Sequence, residues 1–484
     1  MLPTITVDVG TTSVKLGLFD ADSSVRASQR HATPVERDSE GDVYDIPAIT
    51  DLIAQFIAGL DSDLRATVKR IVLTGVGESG GLIREDGSLA SPMIVWHDQR
   101  GARYLQGLTA AEQARIYQIT GLPVNANYSL SKVVWAINNA GGTRDSGTRW
   151  LNIVEYVAAL MTGRRWSEPS LASRTLALDI ERRAWSAEVC ALVGLDPAVF
   201  PDLVDAASGA EVLPDYAARV GVSSEVRVHV AGHDHMVGAV GADLQPGELL
   251  NSTGTTEGLL FLRDQPSLDQ RTAAAKLANG IACRGSGFTL FASIPTGGSA
   301  FATVQSMFGL REDQLAARLA QLHHRYLEGS IRLENIPVVL PWFRGSPVPQ
   351  KQASARGAIA GISTDTTIDD LIFGCFLGLA AQFCDVLDLF HAVPTRVKVI
   401  GPASKNPLWL QVKADLLGVP LTVSQFPEVV SRGAQALASD ASSTWALNEP
   451  QDVRVDSSRH TRLSEWRDSI APQWTHLTGV PHGR

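Results

Sequence analysis

The stretch Ile5-Thr6-Val7-Asp8-Val9-Gly10-Thr11-Thr12-Ser13-Val14-Lys15-Leu16-Gly17-Leu18-Phe19 sets two apolar runs on either side of a turn made of Gly, Thr and Ser. The pattern returns half a chain later, where Gly247-Glu248-Leu249-Leu250 leads into Asn251-Ser252-Thr253-Gly254-Thr255-Thr256 and then Gly258-Leu259-Leu260-Phe261. Each copy reads as a β-hairpin with a tight, hydroxyl-rich turn. Such turns present backbone N–H groups and hydroxyls with little side-chain bulk, which suits polyphosphate oxygens, although one alone is often only a hairpin. Two of them facing each other across a cleft would hold one nucleotide. The repeat is one of whole domains, so it predicts an α/β chain in two parts, residues 1–243 and 244–484. The division falls at the Pro-Gly turn of Asp243-Leu244-Gln245-Pro246-Gly247, just before the hairpin restarts.

The first copy carries an extra signal in Asp8. Asp8 ends a strand that otherwise reads as buried, and a buried carboxylate needs a partner. Beside a phosphate turn, Asp8 is placed to orient water around a magnesium ion, which keeps several waters and takes one or two carboxylates. Lys15 on the returning strand either reaches a phosphate or simply faces solvent.

Bulk properties narrow the function classes. At 484 residues the chain is too long for one ordinary core, which again gives two domains. With 44% hydrophobic and 19% charged residues, its composition is that of a soluble globular protein. A formal net charge of −9 with no basic block argues against a nucleic-acid partner. The longest uncharged apolar stretch, Leu371 to Cys384, is too short to span a bilayer and reads as a buried helix, so no membrane partner is expected. Asp8 interrupts the N-terminal apolar run, so the expectation is a cytoplasmic protein rather than an exported one. Cys190, Cys283, Cys375 and Cys384 show neither metal-ligand nor redox spacing. Further strands are expected at Arg70–Thr74, Val228–Gly232 and Val397–Ile400. Helices are expected at Asp45–Ile57, Ala110–Ile119, Leu371–Phe390 and from Pro407 onward.

Gly232-His233-Asp234-His235 puts an acid between two histidines at a strand end, just before the interdomain turn. If the cleft holds a hydroxyl-bearing substrate, Asp234 can accept its proton as the oxygen attacks a terminal phosphate. A zinc site is the rival, but strand alternation puts His233 and His235 on one face and Asp234 on the other. A helix-capping aspartate is the third reading. A second cluster combines Glu78 with Trp96, Asp98 and Arg100, the mixture of aromatic platform, carboxylate and guanidinium that fixes sugar hydroxyls; its alternative is a core tryptophan beside an ion pair. Residues 121–128, including Asn127, form a polar loop that could cover a substrate. Gly297 and Gly298 open a helix and suit an α-phosphate or ribose, while Gly401-Pro402-Ala403-Ser404-Lys405-Asn406 gives a flat base room near the backbone. Either segment could be only a helix-start loop.

Taken in order, these motifs resemble the FGGY family of carbohydrate kinases over about residues 4 to 445. The resemblance is carried by the opening Asp-x-Gly-Thr-Thr turn, Trp96-His97-Asp98-Gln99-Arg100, Gly232-His233-Asp234, Gly254-Thr255, Ala355-Arg356-Gly357-Ala358 and Asn406-Pro407-Leu408-Trp409. It implies two duplicated ribonuclease-H-like domains of the actin-like ATPase type around an interdomain cleft. The sugar would sit on the first, and the nucleotide on the second, which ends in a helical tail. It also implies ATP and Mg2+, and a homodimer by analogy. Asp234 would be the catalytic base and Asp8 the residue near magnesium. Gly10, Thr11, Thr12, Lys15, Gly254 and Thr255 would hold phosphates, with Gly297 and Gly298 near the α-phosphate and ribose. Gly401, Ala403, Ser404 and Asn406 would line the adenine pocket. Glu78, Trp96, Asp98, Arg100, Asn127 and His235 would serve the sugar. Glycerol kinases show an Arg-Glu pair where this chain has Gly77-Glu78, and loss of that arginine argues against glycerol.

The resulting expectation is an ATP-dependent phosphotransferase acting on a terminal hydroxyl of a small sugar, ketose or polyol, with a xylulose-like ketose foremost. The alternatives are a catalytically silent sugar- and nucleotide-binding sensor of the same fold and an actin-like ATPase acting on protein partners. The pairing of Asp8 with Asp234 weighs against the sensor, and the polar aromatic cluster around Trp96 weighs against the ATPase.

Overall fold

The computed structural model describes residues 1–139, 147–426 and 428–479. Its first sheet grows outward from the opening hairpin. Strand β1 (Thr4–Val9) pairs antiparallel with β2 (Ser13–Phe19), which pairs antiparallel with β3 (Val25–Ala32). On its other side β1 runs parallel to β4 (Arg70–Gly75), the short β5 (Ala210–Glu211) forms the edge, and β6 (Arg227–His233) runs parallel to β4. All six residues of β1 are buried, as expected of a central strand covered on both faces.

The second sheet repeats this plan. Strand β7 (Leu249–Thr253) pairs antiparallel with β8 (Glu257–Arg263). Beyond β8 lie β10 (Phe288–Ile294) and then β9 (Ala278–Ile281), both antiparallel. Strands β11 (Val397–Ile400) and β12 (Leu421–Val423) add in parallel beside β7, and β13 (Gln451–Val453) ends the sheet. In both sheets the first strand pairs antiparallel with the second and parallel with a later one, β4 in the first sheet and β11 in the second, so the duplication seen in the hairpins extends through five strands. This is a two-domain α/β fold of the actin-like ATPase type.

Helix α1 (Ile153–Thr162) packs on β4 and β6 from one side. The other side is covered by two crossed helices, α2 (Asp234–Gly241) and α5 (Val429–Ala438), and these cross between the halves. Helix α5, from the second half, lies on β1, β4 and β6, whereas α2, from the first, reaches β7 and β8. Glycines make the crossing possible. A side chain on Gly241 would strike the carbonyl of Val429, and one on Gly433 would strike the carbonyl of Val237. The division placed after residue 243 therefore lies between α2 and β7 in sequence, while the packing runs across it.

The apolar stretch near residue 371 is helix α3 (Ile368–Asp388), started by a Thr367–Asp370 capping box. It is long and apolar enough to cross a membrane, yet it lies in the interior of the second half, with Phe373, Leu377, Leu379 and Phe383 fully buried. Each such side chain contributes roughly 1.5–3 kcal/mol by leaving water. Helix α4 (Pro407–Leu417), capped by Asn406, packs on α3, and the tail helix α6 (Ser457–Thr478) packs on α4.

Candidate active site

The two hairpin turns open into one cleft of about 1340 Å3. From the first hairpin it is lined by Asp8, Gly10, Thr11, Thr12 and Lys15, and from the second by Ser252, Gly254 and Thr255. Asp234 and His235 at the start of α2, Trp96, Gly401 and Ser404 complete that part of the wall.

Asp8 and Lys15 are cross-strand partners, and Lys15 Nζ lies 3.0 Å from Asp8 Oδ2. The Asp8 charge holds the Lys15 ammonium above its usual pKa against the opposing effect of burial. The Asp8 side chain is only 4% exposed, and its second oxygen, Oδ1, is buried with no hydrogen-bond partner. Glu428, just before α5, places Oε2 3.9 Å from Lys15 Nζ, and this oxygen is likewise buried without a hydrogen bond. Two orphaned carboxylate oxygens beside a phosphate-type turn fit a hard divalent cation such as Mg2+. Glu428 was not singled out in the sequence, because its nearness to Asp8 depends on α5 crossing onto the first sheet.

Strand β6 ends at His233 and Asp234 begins α2, so the strand alternation expected to continue through His235 stops there. Asp234 Oδ1 accepts the His235 backbone N–H at 2.7 Å, a bond within the first helical turn. Burial raises the Asp234 carboxyl above its usual range, and the nearby charges of Asp8 and Glu78 act in the same direction. The His233 and His235 rings stack 5.4 Å apart, and burial lowers them to about 3 and about 4, so both are neutral near pH 7. His235 Nδ1 bonds Ser252 Oγ at 2.9 Å, tying the start of α2 to the second hairpin.

Several nucleotide-side residues are partly committed to structure. The Gly297 and Gly298 amides donate to the carbonyls of Thr255 and Gly254 at 3.1 and 2.8 Å, so these glycines buttress the second turn and their N–H groups are already used. A Cβ at either position would collide with the turn backbone. Gly401 has φ of +101° and sits against the Thr253 carbonyl, a position that requires glycine. Ser404 Oγ donates to the Gly401 carbonyl at 2.6 Å, closing the loop on itself. Ala403 lies beside Gly298, and Asn406 accepts Trp409 N–H at 3.2 Å as the cap of α4; neither lines the cleft.

Of the expected sugar residues, Trp96 and His235 line the cleft, whereas Glu78, Asn127, Asp98 and Arg100 do not. Trp96 lines the cleft and donates Nε1–H to Thr11 Oγ1 at 3.0 Å, which joins the aromatic platform to the first turn. Glu78 is reached by Arg174, whose Nε lies 2.9 Å from Glu78 Oε1. Asn127 is held by Gln99 at 2.6 Å. By contrast, Asp98 and Arg100 are turned inward. The Arg100 side chain is 1% exposed and forks onto Asp98 at 2.8–3.0 Å and Asp38 at 2.9–3.1 Å, with Trp135 over its face. That buried network packs the Asp38–Gly41 turn and lies outside the cleft wall. Lys132, also missed in the sequence, is fully buried, bonds the carbonyls of Ala126 and Asn127 at 3.0 and 2.6 Å, and is lowered by burial to about 7. It holds the 121–128 loop from beneath.

Two family models match nearly the whole chain: the N-terminal domain of the FGGY family of carbohydrate kinases over residues 4–241 and the C-terminal domain of the same family over residues 249–442. The chain is similar to a glycerol kinase of Trichlorobacter lovleyi, at 29% identity with 91% of this chain and 90% of that protein covered. It is also similar to a xylulose kinase of Bacillus subtilis, at 24% identity with 90% and 87% covered. In structure it resembles ligand-bound xylulose kinase from Lactobacillus acidophilus, with a TM-score of 0.84 at 17% identity and 99% and 100% of the two chains covered. With both of its domains present in order, this chain belongs to the FGGY family of carbohydrate kinases, phosphotransferases that use ATP as donor, generally with Mg2+.

Proposed function

We propose that this protein transfers the γ-phosphoryl group of ATP to a terminal hydroxyl of a small neutral sugar or polyol, with a xylulose-like ketose and glycerol as the leading candidates. The observation that carries the reading is the convergence of Asp234 and the Asp8–Lys15 pair on one cleft between the two Gly-Thr turns. Relatives named glycerol kinase and xylulose kinase support both substrate candidates.

In this reading Asp234 accepts the hydroxyl proton as the oxygen attacks, and its raised carboxyl makes it a stronger base than an ordinary aspartate. Lys15 leaves Asp8 for the transferred phosphate, and the amides and hydroxyls of Gly10, Thr11, Thr12, Gly254 and Thr255 cradle the phosphate chain. Magnesium, when bound, supplies positive charge to the phosphate oxygens, and Asp8 with Glu428 would hold it. Gly401 and Ser404 border the base, Gly297 and Gly298 set the shape of the second turn, and Asn406 fixes the helix behind it. Trp96, Glu78, Asn127 and His235 hold the sugar, while Asp98 and Arg100 act by bracing the wall. Most of the rate enhancement is positioning and electrostatics.

The test is ADP release from MgATP with glycerol, tetritols, ketopentoses and aldonic acids as acceptors. One acceptor is expected to stimulate release, and Asp234→Asn to lower that rate by about 10²–10⁴-fold while MgATP still binds. Undiminished transfer in Asp234→Asn would remove it as the base.

A further inference from the structure

Strand β6 reaches Asp234 through an irregular end. Its pairing with β4 shifts between Val230 and Gly232, Gly232 has φ of +122°, and α2 begins without a side-chain cap. The placement of Asp234 therefore depends on what holds the two residues before it. Thr74 Oγ1 donates to the Gly232 carbonyl at 2.8 Å, and the His233 backbone N–H donates to Ser170 Oγ at 2.9 Å. Ser170 lies in the short helix Pro169–Ala172, 63 positions from His233, and is fully buried.

The Ser170 hydroxyl is oriented by its surroundings. It donates to Glu168 Oε2, the oxygen that also accepts the backbone N–H groups of Ser170 and Leu171 at 2.8 and 3.2 Å. With its proton directed at Glu168, Oγ has lone pairs for the His233 N–H and for the Sγ–H of Cys283, which lies 3.4 Å away and comes from the second half of the chain. Glu168 is fixed in turn, because its backbone N–H donates at 3.0 Å to Oε1 of Glu155, a residue of α1, which packs on β4 and β6. Gly232 leaves the space for this junction. A Cβ there would strike Ser170 Oγ and lie 2.7 Å from Glu168 Oε2.

We infer that Ser170, with its hydroxyl turned by Glu168, is a positioning residue that sets Asp234 for proton transfer. This rests on the kinase reading of the cleft. Ser170 and Glu168 lie outside the cleft wall, so the pair acts through the His233 amide and touches neither acceptor nor nucleotide. Without the hydroxyl that buried amide loses its acceptor, and the strand end shifts to find another. A displacement of about 1 Å in a reacting group is enough to cost about 10²-fold in rate.

Steady-state kinetics of the wild type, Ser170→Ala, Ser170→Thr, Asp234→Asn and the Ser170→Ala/Asp234→Asn double variant test this, with MgATP binding and hydrogen exchange at the His233 amide measured in the same preparations. Ser170→Ala is expected to lower kcat about 10- to 100-fold while acceptor KM and MgATP affinity stay within about 2-fold. Ser170→Thr keeps the hydroxyl and should restore most of kcat. Exchange at His233 should be faster in Ser170→Ala and close to wild type in Ser170→Thr. In the Asp234→Asn background Ser170→Ala should have no further effect, because a residue that acts through Asp234 has nothing left to position; a merely structural role would lower both backgrounds alike. If Ser170→Ala does not fold, Ser170→Cys takes its place, since sulfur keeps the shape and accepts only weakly. Wild-type kcat in the folded variant, or an equal further loss in the Asp234→Asn background, overturns the inference. Absence of phosphoryl transfer by the wild type, or undiminished transfer in Asp234→Asn, overturns instead the reading on which it rests, and His233 exchange then decides by itself whether Ser170 anchors the strand end.

Discussion

The two hairpins share a backbone plan and place their charges in opposite directions. In the first, Asp8 faces Lys15 across the ladder and both line the cleft. In the second, the equivalent cross-strand pair is Ser252 and Gly258, and the charge lies one residue earlier on β8, at Glu257. Glu257 points into the core, where Lys413 of α4 meets it, with Lys413 Nζ also 2.8 Å from Asn251 Oδ1. Neither side chain reaches water, and Lys413 lies 4.3 Å from the Trp409 and Phe383 rings. Gly258 leaves room for Ser252, Phe291 and His235 to close together. One hairpin keeps its ions on the cleft wall, and the other buries them against a helix behind its turn.

This contrast can be broken at either end. The largest effect on stability is expected from Lys413→Met, which strands Glu257 as an unpaired buried carboxylate and should cost about 3–5 kcal/mol in urea unfolding. Wild-type stability in that variant would mean that Glu257 simply takes up a proton and that the pair contributes nothing. Asp8→Asn is the counterpart in the cleft: it should cost about 10²–10³-fold in turnover and under about 1 kcal/mol in unfolding, because Lys15 still has Glu428 and solvent. A large loss of stability there would show that the first hairpin also depends on its ion pair.

The smallest and sharpest effect is in the pH profile. Asp234 must be ionised to act as base, and its carboxyl is raised above 3.8, so kcat/KM should fall as pH drops through this higher value. The same shift has a defined sign for stability. The folded state holds the Asp234 proton to higher pH than the unfolded chain, so this group favours folding most at low pH and loses that contribution as pH rises through the raised value. Because Glu78 contributes to the raising, Glu78→Gln should move the acid limb of any remaining activity to lower pH. An unmoved limb would assign it to another group.

Local signals carried much of the architecture. Both hairpins, the strands at 70, 228 and 397, and the helices beginning near 46, 110 and 407 lie within a residue or two of the expectation. Each has an alternating or continuous apolar run with a cap or turn at its end, as with Thr109 and Glu112 around the helix Ala110–Thr120. What local signals could not supply is direction. Asp98 and Arg100 have the residue types of a sugar site, yet Asp38, 62 positions from Arg100, draws the guanidinium inward. Gly297 and Gly298 look like a free anion nest until the carbonyls of residues 254 and 255 are seen to occupy their amides. Arg174 and Glu428 carry no motif and become visible only through the groups they meet.

The sequence by itself determined that the chain is a duplicated α/β protein with a phosphate-type turn in each half and a carboxylate at Asp8 and at Asp234. Those features are periodic or local, so they need only neighbouring residues to be expressed. The tertiary structure decided which charges face the cleft, which guanidinium serves Glu78, and that α2 and α5 cross between the halves. These depend on contacts between residues tens to hundreds of positions apart, where backbone approach at Gly77, Gly241 and Gly433 sets what can touch.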